Sequence, residues 1–508
     1  MCKPHQSKFF EKVESHMRAG GILMHLSSLP SPHGIGTMGA AARAFVDFLT
    51  AAGQQYWQIL PVCPTSYGDS PYQSFSTFAG NPYLIDLDDL AADGLLSPEE
   101  YRSVDWESSP DRVNFGVLYQ KRYPILRLAA ARLLADPPAG YLEFCRAQAA
   151  WLPDYALFMA LKDDHRGAPW SAWEPALRRR EPAALADART RLAGDIAFWQ
   201  AVQYLFFRQW GALKQYANRR GIRIIGDLPI YVALDSVDVW ASPQEFQLDG
   251  ELRPIDVAGC PPDGFSATGQ LWGNPLFDWD AMEQDGYRWW IERIRHVCGI
   301  YDVVRIDHFR GFAGYYAIPG QSKDACGGTW RTGPGIKLFA AVEKALGKRS
   351  IIAEDLGFLS EDVYALLRDV GYPGMKVMEF AFDSRDGGEY RPHTYPRNCV
   401  AYTGTHDNEP LLGWFDTAPA DCVENAVAYL GLNREEGYHW GMMRGVWSSV
   451  ADLAIVQAQD ILGLGHEARM NTPSTLGGNW CWRALPDAFS PALAQKLRHC
   501  MELYQRLG

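Results

Sequence analysis

YDVVRIDHFRG, residues 301–311, decides how this chain folds. A β-branched run broken only by Arg305 leads into Asp307 and His308. The same ending recurs in SIIAEDLG (350–357), which delivers Glu354, and in CVAYTGTHDN (399–408), which delivers Asp407. Parallel strands covered on both faces read as near-continuous apolar runs. Acidic residues at the C-terminal ends of such strands are where a (β/α)8 barrel builds its active site. Carboxylates converging in one cleft are what cleavage of a glycosidic bond requires.

Side chains alternate along a strand, so Arg305 and Asp307 point one way while Val304 and Ile306 face the covering helices. A guanidinium beside Asp307 is expected to lower its pKa and keep it ionised, as a nucleophile for an anomeric carbon must be. A structural ion pair at a strand end explains the same pattern. Glu354 follows Ile351, Ile352 and Ala353, where desolvation raises a carboxyl pKa and favours the protonated form that a general acid needs. Read alone, Glu354-Asp355 is more readily a strand cap. His406 and Asp407 could hydrogen-bond sugar hydroxyls and stabilise an oxocarbenium-like centre. A metal held by His308, His406 and Asp407 is the competing reading, weakened by the lack of closely spaced His pairs at these strand ends.

Working outward, eight strands are expected: GILMHLSSL from Gly21, YWQILPV from Tyr56, IRIIGDLP from Ile222, the three above, MKVMEFAF from Met375 and ARMNTP from Ala468. Helical spacing between them, as in AARAFVDFLTAAG and SEDVYALLRDVG, implies parallel crossovers. The expected fold class is therefore α/β, a (β/α)8 TIM barrel, with residues 1–508 as one catalytic domain. The gap between the second and third strands is too long for a crossover. Residues 63–220 are read as an insertion with a mainly helical subdomain, rich in Ala, Leu, Arg and Trp. Residues 240–280, dense in Gly, Pro and Asp, are read as an active-site loop able to cover a cleft.

Composition narrows the chemistry. The chain has 508 residues, 47% hydrophobic and 21% charged, which excludes a disordered protein. A formal charge of -12 without a basic stripe argues against nucleic acid and anionic membranes and for a neutral substrate. The 18 Trp exceed what a core explanation requires, and some are expected as platforms for sugar rings. Neither a cleavable leader nor an 18-residue apolar run is read in the sequence, so a cytoplasmic protein is expected. Ten Cys with no C-x-x-C pair suggest reduced, structural thiols.

The ordered series GILMHLSSLPSPHGIG, SPYQSFSTFAGNP, GDLPIYV, TGQLWGNPLFDW, VRIDHFRG, IAEDLG, TGTHDN and RMNTP…GNWCWR resembles the 4-alpha-glucanotransferases of glycoside hydrolase family 77, within the α-amylase clan. That resemblance implies Asp307 as nucleophile, Glu354 as general acid/base and Asp407 as transition-state stabiliser. It implies substrate contacts from Arg305, His308, His406, Asp227, Tyr72, Ser70, Gln270 and Trp272. It implies a retaining transfer of α-1,4-glucan segments between maltooligosaccharides, with glucose as an acceptor and no cofactor or metal. Trp272 and Phe265 are expected to form a lid that excludes water. The chain departs from the family at Ala267, where relatives often carry Glu, at Glu409-Pro410, and at Ser474, where Gly is usual. These departures bear on acceptor preference and loop mobility. A glucan hydrolase, a phosphorylase and a non-catalytic glucan-binding barrel are the rival readings.

Overall fold

The computed structural model describes residues 18–507 apart from 67, 108, 263–265, 358 and 384–387. Phe265 therefore lies outside the described residues.

Eight parallel strands form one sheet: Ala19–Leu23, Tyr56–Gln58, Arg223–Leu228, Val303–Ile306, Ile351–Ala353, Gly374–Val377, Cys399–Tyr402 and Leu453–Gln457. They pair in sequence order, and the first strand also pairs with the last, Ala19 opposite Leu453. The remaining seam is closed where Ala353 N–H donates to Pro373 O at 2.9 Å. The architecture is the expected (β/α)8 barrel. Its short strands are almost wholly apolar on their outer faces, with Val304 and Ile306 buried and Ile351, Ile352 and Ala353 buried beside them. Gly226 on the third strand is forced by packing, since a Cβ there would meet the Tyr301 ring at 2.2 Å. That close approach sets the neighbouring Asp227 into the barrel floor.

The eighth strand is not where the sequence suggested. ARMNTP is irregular chain, and Leu453–Gln457 takes the position instead. LAIVQ runs straight into the helix Ala458–Leu462, so its period looks helical when read without its sheet partners. Pro473 and the polar residues of ARMNTP suit a loop at the barrel mouth.

Between the second and third strands the structure carries the helices Phe115–Ala135, Ala139–Ala147, Leu152–Asp164, Pro182–Arg191 and Ala193–Arg219. Asn114 caps the first of these, accepting from Val117 N–H at 3.2 Å. One hydrophobic core runs without a break from the barrel into these helices.

Residues 240–280 are not simply a loop. Asp256–Cys260 and Gln270–Pro275 are strands of a four-stranded antiparallel sheet completed by Gly314–Pro319 and Thr329–Thr332. Gly259 marks a close backbone approach, not absence of structure. At Gly259, beside an irregularity in the register, a Cβ would meet Gln270 O at 2.1 Å. Trp272 consequently stands on a strand.

Candidate active site

The C-terminal ends of the barrel strands open into a cleft of about 630 Å³, walled by Ser70, Tyr72, Gln270, Trp272, Asp307, His308, His406 and Asp407 among others. Asp307, Asp407 and six of the nine other side chains singled out in the sequence thus share one cavity. Asp227, Arg305 and Glu354 do not form its lining.

Asp227 and Arg305 lie beneath the floor, their side chains 1% and 4% exposed. Arg305 Nη1 donates to both Asp227 oxygens at 2.8 and 2.7 Å, and its Nη2 meets Asp307 Oδ1 at 3.0 Å. The Tyr72 hydroxyl donates to Asp227 Oδ2 at 2.7 Å. The Tyr72 ring stacks on His406, centroids 4.9 Å apart and planes 12° from parallel. The resemblance implied direct sugar contacts for Asp227 and Arg305; burial makes them the support on which Asp307, Tyr72 and His406 are mounted. The strand end alone could not reveal this, because Asp227 and Arg305 meet across two neighbouring strands.

Asp307 keeps 30% of its side chain open to the cleft. Its pKa is raised, to about 6: burial is the larger effect, with Arg305 opposing it and Asp227 adding to it. The expected lowering therefore does not occur. The guanidinium is shared with Asp227, and its charge only partly offsets desolvation. Glu354 is raised further, to about 7, first by burial and then by the negative charge of Asp307. Desolvation acts on Glu354 as its apolar strand suggested.

His308 has left-handed backbone, φ 51° and ψ 48°, an unusual state for a non-glycine residue. This turn delivers its backbone N–H to Glu354 Oε2 at 2.7 Å, while Leu356 N–H donates to Oε1 at 2.8 Å. Glu354 and Asp307 are thus tied through one residue. The His308 ring is pushed down to about 3 by burial, so it is neutral, and it meets the Trp272 ring edge-on at 4.9 Å. The Trp272 indole Nε1 donates to Gln270 Oε1 at 3.1 Å, and the Ser70 hydroxyl accepts from Tyr72 N–H at 3.2 Å.

Asp407 is held from ARMNTP, the segment expected as a strand, whose residues were given no part in the site. Asn471 Nδ2 donates to Asp407 Oδ1 at 2.6 Å, and Arg469 Nη2 donates to Asp407 O at 2.6 Å. Arg469 is itself anchored by Glu409, which also pairs with His466 at 3.0 Å. Glu409, one of the departures, thus holds Asp407 in place through Arg469. Asn471 and Trp480 both sit in the quoted RMNTP…GNWCWR stretch, which was the only signal pointing to them. Ser474, where Gly was expected, adopts φ 64° on the cleft wall, and Ala267 is exposed. Gln73 and Asn274 also line the cleft and are joined by a 3.2 Å bond. Among the described residues no group of three or more His, Cys, Asp or Glu is arranged to hold a metal ion.

A parallel barrel whose mouth gathers an arginine-bridged aspartate, a desolvated glutamate and a second exposed aspartate defines a (β/α)8-barrel carbohydrate-active enzyme. The profile of the 4-alpha-glucanotransferases, glycoside hydrolase family 77, matches residues 24–487. A 4-alpha-glucanotransferase of Clostridium butyricum is 47% identical over 485 residues, covering 95% of this chain and 100% of the relative. One from Thermus thermophilus is 48% identical over 501 residues, covering 96% and 99%. Among solved structures, the amylomaltase of Streptococcus agalactiae in complex with acarbose superposes with a TM-score of 0.94 at 42% identity, covering 96% of this chain and 99% of that one. The chain belongs to the 4-alpha-glucanotransferase family.

Proposed function

We propose that this enzyme transfers α-1,4-glucan segments from a donor maltooligosaccharide to the 4-hydroxyl of another glucan or of glucose, by a retaining double displacement. The carrying observation is the Arg305-bridged Asp307 open to the cleft beside a Glu354 whose carboxyl is raised to about 7. Glu354 gives its proton to the departing 4-oxygen while an Asp307 oxygen forms a bond to the anomeric carbon, leaving a β-linked glucosyl-enzyme. Glu354, now ionised, removes the proton of the incoming 4-hydroxyl as that oxygen displaces Asp307 and restores the α-linkage. The Asp407 carboxylate, oriented by Asn471, faces the positive charge that develops at the ring.

The substrate contacts read for His308, His406, Tyr72, Ser70, Gln270 and Trp272 fit side chains that line the cleft. Arg305 and Asp227 act through Asp307 and Tyr72. Transfer needs an acceptor held in place of water, which is a matter of binding and orientation. The strand that carries Trp272 supports that role, and we take residues 63–220 as an accessory region of the single catalytic unit. Nine free cysteines among the described residues suit a reducing compartment, in keeping with a cytoplasmic enzyme. No helix among the described residues is long and apolar enough to cross a membrane.

The test is a time course of products from pure maltotriose. Glucose together with longer dextrins, without phosphate, is the expected result; glucose and maltose alone would make this a hydrolase. Asp307→Ala should lose essentially all turnover while remaining folded, because an open strand-end residue adds little core burial and Asp227 still pairs with Arg305.

A further inference from the structure

The enzyme contains a second large cavity, about 800 Å³, that takes no part in the chemistry above. It lies between the helices Ala193–Arg219 and Arg288–Ile300, with the start of helix Leu152–Asp164 closing one side. Its walls include the rings of Phe78, Trp151, Phe207 and Trp289 together with His296. Phe78 and Trp151 lie nearly parallel, centroids 6.4 Å apart and planes at 18°. His296 stands edge-on to Phe78 at 5.2 Å and within 5.9 Å of both Trp151 and Phe207.

His296 is the polar group that packing alone does not explain. Burial holds its ring well below the usual imidazole range, to about 4, and so neutral, and Nε2 is buried with no partner among the described residues. A hydroxyl can either donate to or accept from a neutral imidazole nitrogen, so it would satisfy the buried Nε2 in either tautomer. Four carboxylates and three basic side chains also line the walls around this aromatic box. That near balance disfavours a polyanion or a polycation. A neutral ring with an apolar face and a rim of hydroxyls matches aromatic platforms beside scattered polar groups.

The cavity shares a wall with the active site. In the segment 70–78, Ser70, Tyr72 and Gln73 line the catalytic cleft, whereas Ser76 and Phe78 line this cavity. Gln73 and Ser76 are three residues apart, so their Cα atoms are separated by at most roughly 11 Å. We propose that this cavity is a second glucan-binding site, taking glucose units of an α-glucan remote from the bond being exchanged. The proposal rests on the glucan-transfer reading for its choice of ligand. Its effect would be to raise the local concentration of long chains at the catalytic cleft, leaving short substrates untouched.

The experiment uses maltoheptaose as probe and the Asp307→Asn variant to prevent turnover. Titration calorimetry should find two sites per chain, and adding Trp289→Ala should weaken one of them about five- to tenfold, the value of one aromatic contact. In the otherwise unmodified enzyme Trp289→Ala should leave maltotriose turnover unchanged. Hydrogen exchange of residues 288–296 in the Asp307→Asn protein should slow on adding maltoheptaose, a readout that needs no change in the cavity. A single site insensitive to Trp289→Ala, or exchange in 288–296 that ignores the sugar, would overturn the proposal. If the unmodified enzyme fails to disproportionate maltotriose, the transferase reading falls, while Trp289-dependent binding still reports on the cavity.

Discussion

Arg305 and Asp307 stand two residues apart at the end of one barrel strand and meet at 3.0 Å, the guanidinium buried and the carboxylate open to the cleft. The period-two geometry of a strand makes that meeting unavoidable once both residues are on it. What it achieves depends on Asp227, which takes the other face of the same guanidinium on the neighbouring strand.

Removing Asp227 should therefore harm stability and catalysis together. Asp227→Ala strands a buried guanidinium and frees the Tyr72 hydroxyl, so unfolding free energy should fall by about 3 kcal/mol or more. Urea denaturation measures the first effect. Asp227→Asn keeps the shape and one acceptor, and should recover most of the stability while turnover remains depressed. Equal stability in the two variants would mean that the ion pair contributes nothing beyond its volume.

Glu354 must be protonated and Asp307 ionised for the first step. With the two carboxyls titrating as a pair at about 6 and about 7, kcat/KM should rise as pH passes 6 and fall as it passes 7. Glu354→Gln should remove the falling limb and slow maltotriose far more than an activated glucosyl fluoride, whose leaving group departs without acid help. Loss of the two substrates to the same extent would assign the acid elsewhere.

Trp272 meets His308 edge-on and hydrogen-bonds Gln270. Trp272→Ala should weaken the acceptor by on the order of 1 kcal/mol and admit water. Transfer should then drop more than hydrolysis. The ratio of reducing ends gained to glucosyl units transferred, at a fixed extent of maltotriose conversion, is the measurement; an unchanged ratio in a folded variant assigns water exclusion to other residues.

Behind Asp407, Asp460 is fully buried, accepting from the Thr403 hydroxyl at 2.5 Å and from Leu411 N–H at 2.7 Å. Burial pushes its carboxyl up to about 7. The folded state thus holds a proton that the unfolded chain releases near pH 4, so this group's contribution to stability is present below pH 4 and is lost as pH rises to 7. Asp460→Asn should flatten that part of the stability–pH curve, by up to about 1.4 kcal/mol per pH unit within the window. An unaltered slope in thermal unfolding between pH 5 and 7 would show that Asp460 titrates normally.

The sequence by itself determined the barrel, seven of its eight strands and the placing of Asp307, Glu354 and Asp407 just beyond strand ends, because each rests on local pattern: an apolar run, a helix period, an acid at a strand end. It misassigned the strand whose signal is non-local. Leu453–Gln457 is a strand because Ala19–Leu23 and Cys399–Tyr402 flank it, and neither neighbour is visible from within LAIVQ. The strands inside 240–280 escaped for the same reason, since glycine marks both flexible turns and backbones that must pass closely. Only the tertiary structure decided the electrostatics. Asp307 is raised instead of lowered because burial outweighs the Arg305 charge and the neighbouring Asp227 adds to it. Asn471 reaches Asp407 from 64 residues further along the chain. Pairing and burial are properties of residues brought together, and no local spacing encodes them.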